Sequence, residues 1–351
     1  MGNLLTLYYS NVCYFCFLTE CRCAENELLG AAESGDGFTV EQMLTYEAVN
    51  VNARNEEGDT PLSLATQNGD IKIVEILLRQ KGIDLNAANE DGDNPLISAA
   101  QEGHYKIVEL LLREQGINVT QERPSGSTAL HAAAYYGHEN VMKLLLKVEG
   151  VDVNHARPKD GVTPLHLASQ QGHEKVVKLL LGKDGIEVNR GEIENVSPLF
   201  VAAQNPITTD GVGITPLLLA SQQGHEKVVK LLLGKEGTEV NRADEVHNAS
   251  PLFVAAQKGH EQVVRVLLAR DDIQVNQATY SNYTPLIIAA EKGYHKVVHM
   301  LLQKADIHID LEPLRTAAEE RHIIIVEMLL ARPEVLAIGW DGWRPPGARA
   351  A

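Results

Sequence analysis

Residues 163–190 read TPLHLASQQGHEKVVKLLLGKDGIEVNR. A threonine before a proline supplies a helix start. The hydroxyl accepts from free backbone N–H groups, and Pro164 stands where a missing N–H costs nothing. Leu165, Leu167 and Ala168 are apolar at helical spacing, and Gly172 ends this short helix because glycine takes φ > 0 without steric penalty. His173-Glu174 opens a second helix, with Val176, Val177, Leu180 and Leu181 along one face. Gly182 and Gly185 end it, and Val188-Asn189 begins an extended segment. Isolated helices under about 12 residues are marginal in water, so neither stands alone. The pair also leaves one apolar face bare, which stacked copies of the unit would bury.

Such copies run through the chain. Thr-Pro-Leu recurs at Thr60, Thr163, Thr215 and Thr284, with variants starting at Asn94, Thr128, Ser197 and Ser250. The steps between successive anchors are 34, 34, 35, 34, 18, 35 and 34 residues. A degenerate anchor follows at Glu312-Pro313-Leu314. Upstream, Ala31 to Asp36 matches the Gly69-Asp70 region, so a first repeat begins near Asn26.

The phrase Gly-x-Thr-Pro-Leu-His, then Leu-Ala, Gly-His, Val-Val-x-Leu-Leu-Leu and Val-Asn resembles the ankyrin repeat, with the period that family requires. The resemblance implies an all-α repeat solenoid of helix-turn-helix pairs with β-hairpin fingers, about eight full repeats plus one truncated repeat. It spans residues 25–333, between an apolar Cys-containing leader (1–24) and a C-terminal tail (334–351) whose last part is expected to be disordered. The resemblance also places partner binding on the concave surface made by fingers and first helices.

The step of 18 marks an irregularity. Ser197 to Gln204 reads as a first helix with no second helix after it, and Asn205 to Gly213 reads as loop. The flanks point to a tandem duplication: Pro164 to Arg190 and Pro216 to Arg242 differ only at His166/Leu218, Asp184/Glu236 and Ile186/Thr238. A defect is expected near 197–214, with apolar surface left bare on both neighbours.

A net charge of −16 and the lack of a basic stripe exclude a nucleic-acid partner and favour a basic one. All four cysteines fall between Cys13 and Cys23, so the body of the chain carries no disulfide and suits a reducing compartment, the cytoplasm or the nucleus. The cysteine spacing is too tight for the usual structural zinc site. The start Met1-Gly2-Asn3-Leu4-Leu5-Thr6 fits a myristoylation pattern, so membrane association is expected only if Gly2 is acylated. Of thirteen histidines, His131 and His166 share one position of the repeat and His104, His138, His173, His225 and His260 another, so they are spread along the repeats and do not converge, which disfavours an active site. Asn52, Asn86, Asn154, Asn189, Asn241 and Asn276 read as turn residues that bond their own backbone. No catalytic residue, cofactor loop or metal set is expected, and the chain should act as a monomer.

The reading is therefore a non-catalytic protein–protein interaction scaffold or adaptor. The alternatives are a membrane-tethered adaptor and the targeting module of a larger enzyme or receptor. Positions that vary between repeats mark the candidate site. Finger tips supply Glu56, Glu57, Asp59, Glu90, Asp91 and Asp93. First-helix ends supply Gln101, Glu102, Tyr135, Tyr136, Gln170 and Gln171. The early fingers are acidic and the tyrosines are natural anchors, giving large contact area at low entropy cost. A protein with a basic segment is the expected partner.

Overall fold

The computed structural model describes residues 23–46, 49–190 and 213–337. Gly2, three of the four cysteines, the first-helix copy at 197–204 and the tail from 338 lie outside those residues. Cys23 is exposed and unpaired.

The chain forms two compact units that divide after Val153. The first holds four helix pairs: 23–34 with Gly37–Met43, Pro61–Asn68 with Ile71–Leu78, Pro95–Glu102 with Tyr105–Leu111, and Ala129–Tyr136 with Glu139–Leu145. The second holds five: Pro164–Gln171 with Glu174–Leu181, Pro216–Gln223 with Glu226–Leu233, Pro251–Lys258 with Glu261–Leu268, Pro285–Glu291 with His295–Leu302, and Glu312–Glu319 with Ile323–Leu330. A short helix, Pro333–Ala337, follows. The described residues thus hold nine pairs, one more than the eight full repeats expected, because the degenerate anchor at Glu312 also forms a complete pair.

Local chemistry sets each helix. Thr60, Asn94, Thr163, Thr215, Ser250 and Thr284 are extended N-caps whose side chains accept from the N3 backbone N–H, with proline in the first turn. In the repeat at Thr163, His166 completes a reciprocal cap. Its Nδ1 lies 3.2 Å from the Thr163 backbone nitrogen and 2.7 Å from the Thr163 Oγ1. Leu165, Ala168, Val176, Val177 and Leu180 are buried, building a core from aliphatic side chains rather than aromatics. Each fully buried Val or Leu contributes about 1.5–3 kcal/mol.

Neighbouring repeats are joined by two recurring bonds. At four junctions a histidine just past the end of a first helix bonds a carbonyl of the preceding repeat: His104 to Gln67 (3.1 Å), His138 to Gln101 (2.7 Å), His260 to Gln222 (2.9 Å) and His322, which follows Arg321 rather than a glycine, to Glu291 (2.8 Å). Gly103 shows why glycine precedes the other three. Its φ is +77°, and a Cβ there would stand 2.5 Å from the His138 Nδ1. The asparagines make the second bond, and they correct the expectation of self-bonded turns. Asn52 donates to Gly82 O at 2.8 Å and accepts from Asp84 N at 2.8 Å, both in the next repeat. Asn86 does the same with Gly116 and Asn118, and Asn241 with Asp272 and Gln274. A primary amide carries both a donor and an acceptor, so one side chain clamps the neighbouring loop.

The same bonds cross the insertion. His225 reaches Gln170 O at 2.9 Å, Asn189 reaches Gly237 O at 2.6 Å, and Lys235 donates to Leu181 O at 3.0 Å. The repeats at Thr163 and Thr215 therefore stack directly on each other. The apolar faces expected to stand bare beside the short repeat cover one another instead, because duplication preserved both complementary surfaces.

Among the described residues there is no strand. The segments expected as β-hairpin fingers are tight turns, such as the one closed by Asn55 N to Asp59 O (3.0 Å) and Gly58 N to Asn55 O (3.1 Å), with the same pair of bonds at Asn89 and at Arg123.

Candidate protein-interaction face

The turns and first helices of the first unit position most of the candidate residues. Glu56 and Glu57 lie exposed at one tip, Glu90 and Asp91 at the next, and Glu90 N donates to Glu57 O at 3.0 Å, holding the two tips side by side. These four carboxylates make a small acidic edge.

The other two acids serve the scaffold. Asp59 is half-buried and accepts from Ser63 Oγ at 3.2 Å and from Asn89 Nδ2 at 3.0 Å, tying its turn to its own helix and to the next finger. Asp93 is half-buried and ion-paired with Arg123. Arg123 in turn donates from Nη2 to Gln101 Oε1 at 2.6 Å, and Gln101 Nε2 donates to Glu102 Oε1 at 3.2 Å. Arg123 thus neutralises part of the acidic row. Sequence reasoning passed over Arg123, and the available signal was its offset of 30 residues from Asp93, close to one repeat.

The aromatic pair continues this chain of contacts. The Gln101 carbonyl holds His138, and the Tyr136 ring stacks on His138 with centroids 6.1 Å apart. Tyr135 and Tyr136 meet edge to face at 5.0 Å. They sit at the end of a first helix and are 42% and 48% exposed, so each ring keeps a large open face while neighbours restrict its rotation. Gln101, Arg123, His138, Tyr136 and Tyr135 are consequently contiguous. Gln170 and Gln171 end a first helix of the second unit. Gln170 is half-buried, with its carbonyl committed to His225, and Gln171 is exposed.

Among the described residues, no three His, Cys, Asp or Glu side chains group as a metal set would. No described helix is long and apolar enough to cross a membrane.

A family profile described as Ankyrin repeats (3 copies) matches residues 28–123, 114–192, 190–278 and 217–312. The chain belongs to the ankyrin-repeat family. No curated protein matches it significantly. Ankyrin repeats generally mediate protein–protein interaction, and ankyrin domains are typically non-catalytic modules. Capped first helices, glycine–histidine junctions and stacked pairs supply the rigid ankyrin frame on which the exposed tips and tyrosines are displayed.

Proposed function

We propose that this ankyrin chain is a non-catalytic adaptor that binds a protein partner carrying a basic segment, using the finger tips and first-helix ends of its first unit. The observation that carries the reading is the exposed, edge-to-face Tyr135–Tyr136 pair, which shares a unit with the acidic edge of Glu56, Glu57, Glu90 and Asp91. Two half-exposed tyrosines restrained by neighbours lose little entropy on binding and bury large area, as binding anchors do. Exposed carboxylates steer a cationic segment and set register, and they contribute more to association rate than to affinity.

Affinity capture with mass spectrometry on the wild-type chain and on Tyr135→Ala/Tyr136→Ala tests this. A partner retained by the wild type and lost by a still-folded variant supports the reading. Equal capture by both moves the binding face elsewhere. A captured partner whose association does not slow as salt rises contradicts the basic-segment part.

A further inference from the structure

In the second unit, the second helices Glu174–Leu181, Glu226–Leu233, Glu261–Leu268 and His295–Leu302 stack side by side, each burying the same Val-Val and Leu face. The fifth residue of each is exposed: Lys178, Lys230, Arg265 and His299. Equal register on neighbouring helices sets these four bases in one row. The repeat frame does not require them. At the same register the first unit carries Glu41, Glu75 and Glu109 before Lys143, and the last second helix carries Glu327.

The acids that open these helices are already engaged. Glu174 pairs with Lys227 at 3.0 Å, Glu226 with Lys230, and Glu261 with Lys296 at 3.1 Å. Among the described residues, Lys178 and Arg265 have no carboxylate partner. The row ends in an open groove of about 280 Å³. Arg265, His295, His299 and the Glu261–Lys296 pair line its polar side, and the half-buried Met300 and Met328 its apolar side. Methionine is flexible and polarizable, so it adapts to an entering apolar side chain. Unmatched cations beside such a floor complement a chain that carries both carboxylates and an apolar residue. A nucleic-acid backbone would leave the methionines unused.

We propose that this outer face of the second unit docks an acidic segment of a protein partner. Its carboxylates run along Lys178, Lys230 and Arg265, and an apolar residue enters the Met300–Met328 groove. Four helices packed about 8–10 Å apart span roughly 30 Å. About nine extended residues cover that length. The site is opposite in charge to the acidic edge of the first unit and does not depend on that edge's partner.

Fluorescence anisotropy of a fluorescein-labelled Glu-Glu-Leu repeat peptide, titrated with the full chain, tests this. The wild type should bind it. Lys178→Glu/Arg265→Glu should bind at least about tenfold more weakly, since like charges then face each other. Lys72→Glu/Lys106→Glu makes the same charge change at exposed positions in second helices of the first unit, and should leave the affinity nearly unchanged. All four positions are exposed, so circular dichroism should match the wild type in both variants. A Glu-Glu-Ser probe should bind more weakly than Glu-Glu-Leu, and Met300→Ala/Met328→Ala should erase that preference. No binding by the wild type overturns the proposal. Equal losses in the two charge-reversed variants do so too, because overall charge alone would then be acting. Equal wild-type affinity for the two probes also overturns it, because any polyanion would then serve.

Discussion

Replacing His166 with leucine, the residue its duplicate carries at Leu218, should remove an acid sensitivity built into one repeat junction. His166 is buried, and its bonds demand the neutral ring. Nδ1 accepts from the Thr163 cap, while Nε2 donates to Ile214 O at 2.9 Å. Burial pushes its pKa down from 6.5 to about 4, against the smaller opposing pull of the Ile214 carbonyl. In the unfolded chain the imidazole takes its proton near 6.5, so between that value and about 4 the unfolded state binds more protons. Stability therefore falls as pH drops through this window and is recovered above it. At 1.36 kcal/mol per pKa unit, the full penalty is roughly 3 kcal/mol, of which about 2 kcal/mol is present near pH 5. At neutral pH, His166→Leu should be about 1–2 kcal/mol less stable, having lost the reciprocal cap bond and left Ile214 O without its donor. Urea midpoints across the pH range should then show the two proteins converging near pH 5. An NMR titration of the His166 ring should show no protonation at ordinary histidine pH. Parallel loss of stability in both proteins, or a ring titrating at its ordinary value, would refute the reasoning.

Two further outcomes follow from the junctions. Gly103→Ala should cost about 1–3 kcal/mol in a thermal or urea melt, since it combines a left-handed backbone with a clash on His138. Gly116→Ala has a similar positive φ with nothing within 4 Å, so it should cost measurably less, and equal losses would show that the histidine contact does not matter. Deleting residues 195–212 restores the 34-residue step between Thr163 and Thr215, and leaves Gly213-Ile214 before the cap as Gly58-Asp59 stand before Thr60. Because the flanking repeats already stack directly, the melting temperature should hold or rise slightly as the connection shortens. A large loss would mean that the inserted segment supports the stack.

The amino-acid sequence alone determined the repeat, its period, the helix starts at Thr-Pro and the ends at glycine. It also determined which aliphatic residues are buried, because capping, chain reversal and amphipathic spacing are decided within a few residues of one another. It marked the exposed tips and the Tyr135–Tyr136 pair, since these vary where the frame recurs. It did not reveal that Asn52 or Asn86 clamps the following repeat, or that Asp59 holds the next finger. Nor did it reveal that Arg123 neutralises Asp93, for each of these pairs joins residues 30 or more apart, where local rules are silent. The stacking of Thr163's repeat on Thr215's was decided in the same way. Periodicity names the apolar faces, but only three-dimensional packing selects which face meets which. The duplicated surfaces complement each other across the insertion as fully as neighbours one period apart.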